Sequence, residues 1–354
     1  MLYGFSSKEP CNKALARVPH KYETKANLTE QGFTLVELML SLSLGLVITS
    51  AAFQLFAHSM TTQKVQRSFS EVQDAAVFGF TAMAKEVAHA NLGASNSMRQ
   101  QTAGTGIVFT GSEDSSQLSV AGKPFKVGNL RGIRGIESRL LTKSGVGPSN
   151  LIAPTTSDQL TIQYRAAFDS YDCEGKRVNK GDMVIERYFT RTDNQRADKE
   201  TKALAIVLAC DAGSYSLNES QSANNITTDS LTIKGFGDNG VVLINRVDYF
   251  SVKLGVKLAQ GLAYMPIDTY LSKHSSSQSK APLSSNYVYD APIVAVELGI
   301  IGRGVSEVGT GSGKTMKSSF NLQGAEYQIR EKTPHYIRRT LQRVITLRNS
   351  RLSQ

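Results

Sequence analysis

From Phe33 to Ala57 the chain reads FTLVELMLSLSLGLVITSAAFQLFA, 25 residues among which only Glu37 ionises. At 1.5 Å rise per residue, a helix of that length spans the ~30 Å hydrocarbon core of a bilayer. The run is apolar on every face, which a helix packed into a soluble core rarely needs. The pattern then changes. Val65, Phe69, Val72, Ala76, Phe80, Met83 and Val87 recur at spacings of three and four, while Gln63, Lys64, Arg67, Ser70, Gln73, Asp74 and Lys85 occupy other faces. That stripe predicts the same helix continuing beyond the apolar zone, solvated on one side and packed on a domain along the other. A helix from Phe33 to about Asn91 is ~90 Å long. Gly45 and Gly79 weaken it locally, and Asn91-Leu92-Gly93 is a stop signal.

Beyond Gly93 the helical period gives way to short β-branched and aromatic runs separated by turn residues. Candidate strands are 106–110, 118–121, 159–165, 183–190, 203–209, 241–244, 249–256, 293–301 and 344–348. Asp238-Asn239-Gly240 is a turn signal ahead of Val241. Two stretches rich in Ser, Asn and Thr, Leu217 to Ser230 and Ser272 to Asn286, read as mobile loops. The expected fold class is therefore α+β. A long amino-terminal helical spine at 33–91, transmembrane in its first half, carries a β-rich head at 92–354.

Charge decides the orientation. Residues 1–32 carry Lys8, Lys13, Arg17, Lys21 and Lys25, whereas no strong base follows the apolar run before Lys64. Positive charge stays on the cytoplasmic side, so the head is expected outside. Glu37 is the anomaly, since a carboxylate at a helix centre costs about 2.5 to 3.5 kcal/mol on insertion scales. Cleavage after Gly32 would offset that cost. Phe33 would then bear a new amino-terminal charge one turn from Glu37, able to pair within one chain or between neighbours, and the helix dipole favours an anion there. A carboxylate near a helix end can also snorkel to the interface.

Gln31-Gly32-Phe33-Thr34-Leu35-Val36-Glu37, followed at once by about twenty apolar residues, resembles the processing signature of type IV prepilins and type II secretion pseudopilins. The resemblance implies that a membrane prepilin peptidase removes residues 1–32 as a leader, that Phe33 is N-methylated, and that Glu37 guides docking of subunits. Within the class the chain resembles the PilW minor pilins. The segments that carry this are Glu71 to Ala75 with Ala84 to Val87, Asp158 to Tyr164, Asp172-Cys173-Glu174-Gly175, Leu208-Ala209-Cys210, Asn245-Arg246-Val247 and Arg338-Arg339 to Asn349. That likeness implies a pilin-like head and a single-pass inner-membrane protein with a periplasmic head before assembly. It also implies a place at the tip of a type IV pilus afterwards, with twitching motility, adhesion and DNA uptake as consequences. Implied partners are the peptidase, other minor pilins, the major pilin, the inner-membrane assembly platform and the lipid bilayer. The leader is long for the class, and no proline lies between Pro19 and Pro124, where major pilins kink the helix. Two rivals remain: a minor pseudopilin of a type II secretion system, and a membrane-anchored binding protein that never polymerises.

An exported head meets an oxidising compartment, where Cys173 and Cys210 can form a bridge or remain two buried thiols, while Cys11 stays with the leader. A bridge would contribute on the order of 3 to 4 kcal/mol. His20, His58, His89, His274 and His335 show no ligand spacing, so no metal or cofactor is expected. Lys+Arg of 40 against Asp+Glu of 30 gives +10, and the chain without residues 1–32 keeps +8. That excess permits contact with an anionic surface such as DNA, but no basic block is interleaved with stacking aromatics. Gly309-Thr310-Gly311-Ser312-Gly313-Lys314-Thr315 imitates a phosphate loop, yet its first glycine is one residue too close to the Gly-Lys pair. With no G-x-S-x-G or H-E-x-x-H pattern either, catalysis has no support in the sequence.

Overall fold

The computed structural model describes residues 32–93, 106–109, 119–120, 123–124, 136–196, 200–215, 233–258, 260–278, 292–305, 307, 318–330 and 336–347. Helix α1 is Leu35–Ala75, a π-helical turn occupies Ala76–Phe80, α2 is Thr81–Val87 and α3 is Ile267–Gln278. The strands are β1 Ser119–Val120, β2 Lys123–Pro124, β3 Lys143–Gly147, β4 Ser157–Arg165, β5 Ser170–Tyr171, β6 Arg177–Val178, β7 Met183–Thr192 and β8 Ile206–Tyr215. They continue with β9 Val241–Ile244, β10 Val247–Leu258, β11 Gly261–Pro266, β12 Ile293–Arg303, β13 Ser319–Leu322, β14 Ala325–Gln328 and β15 Arg338–Thr346. The fold is thus a long amino-terminal helix followed by a β-rich head.

Two compact units divide the chain, Met1–Ala57 and His58–Gln354. The described part of the first is the apolar half of α1, with every side chain exposed. Among the described residues the second unit holds two larger antiparallel sheets, one of five strands in the order β3-β4-β7-β8-β9 and one of four in the order β11-β10-β12-β15, and the two-stranded pairs β1-β2, β5-β6 and β13-β14. The two larger sheets meet where β10 outruns β11. There the backbone N–H of Phe250 donates to Ser157 Oγ at 3.1 Å and that of Val252 to Asp158 Oδ2 at 2.8 Å. Side chains of β4 thus cap a stretch of β10 that the shorter β11 leaves without a partner. Burial pushes the Asp158 carboxyl up to about 6, against the N–H donors of Val252 and Gly145.

The helix residues of this unit close the core. Phe80, Met83, Ala84 and Val87 lie buried with Ile162, Tyr188, Leu208, Ile244, Phe250, Val252, Leu298 and Ile345, drawn from both sheets. The apolar stripe read from the sequence holds at Val72, Phe80, Met83 and Val87 but fails at Phe69, which is 49% exposed and lies beneath the Arg339 guanidinium. Ser68 takes the buried place instead, because a Cβ on Gly304 would come within 1.9 Å of Ser68 Oγ and the approach leaves no room for a large side chain.

The long helix expected from 33 to about 91 runs from Leu35 to Val87. Its last α-helical residue is Val87, and the chain turns through Asn91 and Gly93, at φ 74° and 73°. The irregularity falls at Gly79 with no proline involved. A Cβ there would sit 2.5 Å from the carbonyl oxygen of Leu243 in β9, so helix and strand approach to backbone distance and the helix widens by one residue to do so. Gly79→Ala is accordingly expected to destabilise the head by about 1–3 kcal/mol by overpacking, read as a lowered urea midpoint with an unchanged slope. A neutral result would mean that the helix can lift off β9 freely.

Other differences have local causes. The expected loop at Ser272 is part of α3, which the buried Ile267 and Tyr270 tie down. Strand β8 runs on through Asp211-Ala212-Gly213-Ser214-Tyr215, a stretch without β-branched residues, because the register with β7 supplies partners for all five. The first candidate strand reduces to one bridge, Ile107 to Ile162. The candidate ending at Arg348 instead starts six residues earlier, at Arg338. Residues 217–230 and 279–286, the glycine-rich segment 309–315, Cys11 and residues 1–31 of the leader lie outside the described residues.

Candidate functional site

The amino-terminal residues are laid out in order of their expected use. Gly32, Phe33 and Thr34 precede the helix and are exposed, and Phe33 exposes 85% of its surface. Nothing among the described residues lies within 4 Å of a Cβ placed on Gly32. Helix α1 starts two residues past that peptide. Thr34 caps it: its carbonyl accepts the N–H of Leu38 at 3.1 Å and its Oγ1 accepts the N–H of Glu37 at 3.2 Å. Glu37 reaches back in turn, and Oε2 accepts from the Thr34 N–H at 3.4 Å and from Thr34 Oγ1–H at 3.3 Å.

This reciprocal pair is a capping box. The sequence reading missed it, although Thr34-Leu35-Val36-Glu37 is the S/T-x-x-E pattern ahead of an apolar run. It gives Glu37 a local task, since the carboxylate accepts the Thr34 N–H, an amide without a helical partner. It also draws that carboxylate to the residue next to Phe33, where cleavage would create a positive charge.

In the head, Cys173 and Cys210 form a disulfide with Cα atoms 6.2 Å apart. Cys210 is in the middle of β8, and Cys173 is in the turn of the β5–β6 hairpin, where Asp172 Oδ1 accepts the N–H of Glu174 and of Lys176. Beside the disulfide lies Glu186, wholly buried on the helix-facing side of β7. Its Oε1 accepts the Cys173 N–H at 3.1 Å and the Tyr164 hydroxyl at 3.2 Å, and its Oε2 accepts the Tyr188 hydroxyl at 2.6 Å. Burial, and then the charge of Glu86 on α2, push the Glu186 carboxyl up to about 8 against those three donors. Glu86 is itself held by His89 at 3.2 Å, and the His89 ring lies tilted against Tyr164 at 5.5 Å.

A second buried cluster contains three arginines and three acids. Arg246 binds Asp193 and Glu200, each at 2.8 Å, Arg303 binds Glu200 and, at 3.2 Å, Asp248, and Arg338 binds Asp248 at 2.5 Å. Tyr336 stacks its ring under Arg303, 4.2 Å from the guanidinium carbon. The cluster joins the loop at 193–204 to the start of β10, the end of β12 and the start of β15.

Among the described residues two carboxylate-bearing groups come close enough to invite a metal: Cys173, Glu186 and Cys210, and Glu174, Asp211 and Asp238. In the first the sulfurs are bonded to each other. In the second Arg187 binds Asp211 at 2.8 Å and Lys176 binds Glu174 at 2.5 Å, so cations of the chain already fill the place of an ion.

Residues 28–53 match the prokaryotic N-terminal methylation motif. The match spans Gly32, Phe33 and Glu37 and ends within the helix Leu35–Val87, which is long and apolar enough to cross a membrane. Among solved structures, the type IV-like pilin TTHA1219 from Thermus thermophilus aligns over 80% of this chain and 96% of its own, at 11% identity and a TM-score of 0.28. No curated protein matches the chain. The chain carries a prepilin-like amino terminus on a β-rich head.

Proposed function

We propose that the chain is a minor pilin of the PilW type. In this reading it is cut after Gly32, methylated at Phe33, and packed through the helix from Phe33 into the start of a type IV pilus with other minor pilins. The observation that carries this is the coincidence of three features within residues 28–53: an exposed Gly32–Phe33 step, a helix that begins at Leu35, and Glu37 folded back to the Thr34 amide. Glu37 is then within a turn of the amine that cleavage exposes, so a neighbouring subunit's Phe33 can take over the role that Thr34 plays in the free chain. The apolar side chains of α1 are exposed from Leu35 to Phe56, and lipid or neighbouring helices must cover them. Nothing in the site calls for a substrate. The head's part is to present a surface and, as a membrane-anchored subunit outside the inner membrane, to help begin a filament whose activities are motility and adhesion.

The test is intact-mass analysis of the protein extracted from membranes, with and without the prepilin peptidase. The expected product begins at Phe33, carries one added methyl group and is two hydrogens short for the Cys173–Cys210 bridge. An uncut chain in the presence of active peptidase overturns the reading. Deletion of the gene with piliation unchanged overturns the role in assembly.

A further inference from the structure

Strand β15 is the outer strand of the four-stranded sheet, and among the described residues no strand pairs with its far side. Its ladder with β12 fixes which groups point away. Leu347 N–H donates to Val294 O at 3.0 Å and Gly304 N–H donates to Ile337 O at 2.9 Å. In an antiparallel ladder bonded pairs alternate, so the odd-numbered residues between them bond β12. Thr340, Gln342, Val344 and Thr346 therefore turn N–H and C=O outward, a template for one more strand.

That edge does not face open solvent alone. Between α2 and residues 343–346 lies a cleft of about 490 Å³, lined on the helix side by Thr81, Lys85 and His89 and on the strand side by Arg343 and Thr346. A strand added to β15 would place alternate side chains into this cleft. Its charge is mainly positive: Lys85 and Arg343 line it with no carboxylate within ion-pair distance among the described residues, while Glu86, the acid among its lining residues, is turned to His89 at 3.2 Å. β15 carries no acid, and of its three arginines Arg338 is buried against Asp248, which leaves Arg339 and Arg343 at the edge. Arginines on an open edge repel strands of like charge and leave it selective for the opposite one.

The geometry points to β15 and its cleft as the docking site for an extended acidic segment of a neighbouring subunit, added as a fifth strand beneath α2. This rests on the reading of the chain as a filament subunit, which supplies the neighbour. The backbone pairing gives adhesion to any strand, and Lys85 and Arg343 give the preference for glutamate or aspartate at the positions that enter the cleft.

The experiment uses the full chain in detergent micelles and two capped heptapeptides, one alternating Glu with Val and Thr, the other identical but with Lys for Glu. The expected result is that the acidic peptide slows hydrogen exchange at the amides of Thr340, Gln342, Val344 and Thr346 by about tenfold or more while the basic one does not. Arg343→Glu, at an exposed side chain that no fold contact needs, should invert the preference. No slowing with either peptide, or equal slowing with both, overturns the proposal. The mass of the processed chain reports the filament reading separately, so either can fail without the other.

Discussion

Arg303→Met is expected to cost the head about 3–5 kcal/mol, enough to unfold a marginal domain, because it leaves two carboxylates short of a cation in a place water does not reach. Arg303 and Asp248 have no exposed side-chain surface and Glu200 has 1%. With Arg303 gone, Arg246 still faces Glu200 and Arg338 still faces Asp248, but the cluster carries one uncompensated negative charge. It also loses the donors that Leu204 O and Gly304 O now use. Methionine fills the volume and answers none of this.

The double variant Arg303→Met with Glu200→Gln restores the charge balance and is expected to recover about half of the loss, a coupling that separates buried charge from lost packing. Urea unfolding at low and high salt completes the measurement. A buried network is screened little, so the loss should be nearly the same at both ionic strengths. A loss below about 1 kcal/mol, the range of exposed ion pairs, would sink the view that this cluster pins the loop at 193–204 to the sheet.

Little of that cluster could be seen in the chain beforehand. Its bonded partners lie up to 103 residues apart and come together only through the registers of β10, β12 and β15, which no local pattern encodes. Arg246 and Arg338 stood out in the sequence as parts of short segments but not as partners. What could be read was the amino-terminal third, because an apolar run, a period near 3.6 and a glycine-phenylalanine step are local signals. The strands rich in β-branched residues could be read for the same reason. Ser68 could not, since its burial depends on how closely Gly304 approaches. Nor could the π-helical turn at Gly79, whose cause is the Leu243 carbonyl 164 positions further on. Thr34-Leu35-Val36-Glu37 is the instructive omission: a local capping signal was present and was overshadowed by the larger anomaly of a carboxylate in an apolar run. The conflict between local and global signals at Glu37 is what a dual-purpose residue produces, a cap in the free chain and a docking group in the proposed assembly.

Glu186→Gln should change how stability depends on pH more than any other single substitution in the head. The native carboxyl titrates near 8, whereas in the unfolded chain it titrates in the ordinary range near 4.5. Between those values the folded protein holds a proton that the unfolded chain has lost. Stability from this group is therefore fully present below about pH 4.5 and declines as pH rises through the window up to about 8, at a slope of about 1 kcal/mol per unit.

Glutamine keeps the neutral form at every pH. Its carbonyl can accept from Cys173 N–H and Tyr164, and its NH₂ can donate to the Tyr188 hydroxyl oxygen. Relative to the parent, the variant should thus gain on the order of 2–4 kcal/mol between pH 5 and pH 8.5. Asp158 also has a raised carboxyl pKa, but it remains in both proteins, so the difference between the two urea curves isolates Glu186. The ionisable side chains that face it are Glu86 from α2, Tyr164 from β4 and Tyr188 from its own strand, and the disulfide contributes no charge. If the two profiles stay parallel, the carboxyl is ionised throughout and its three donors outweigh its burial. The helix would then pack on a buried charge, and Glu86→Gln, which removes the repelling neighbour on α2, should stabilise the parent at pH 8.5.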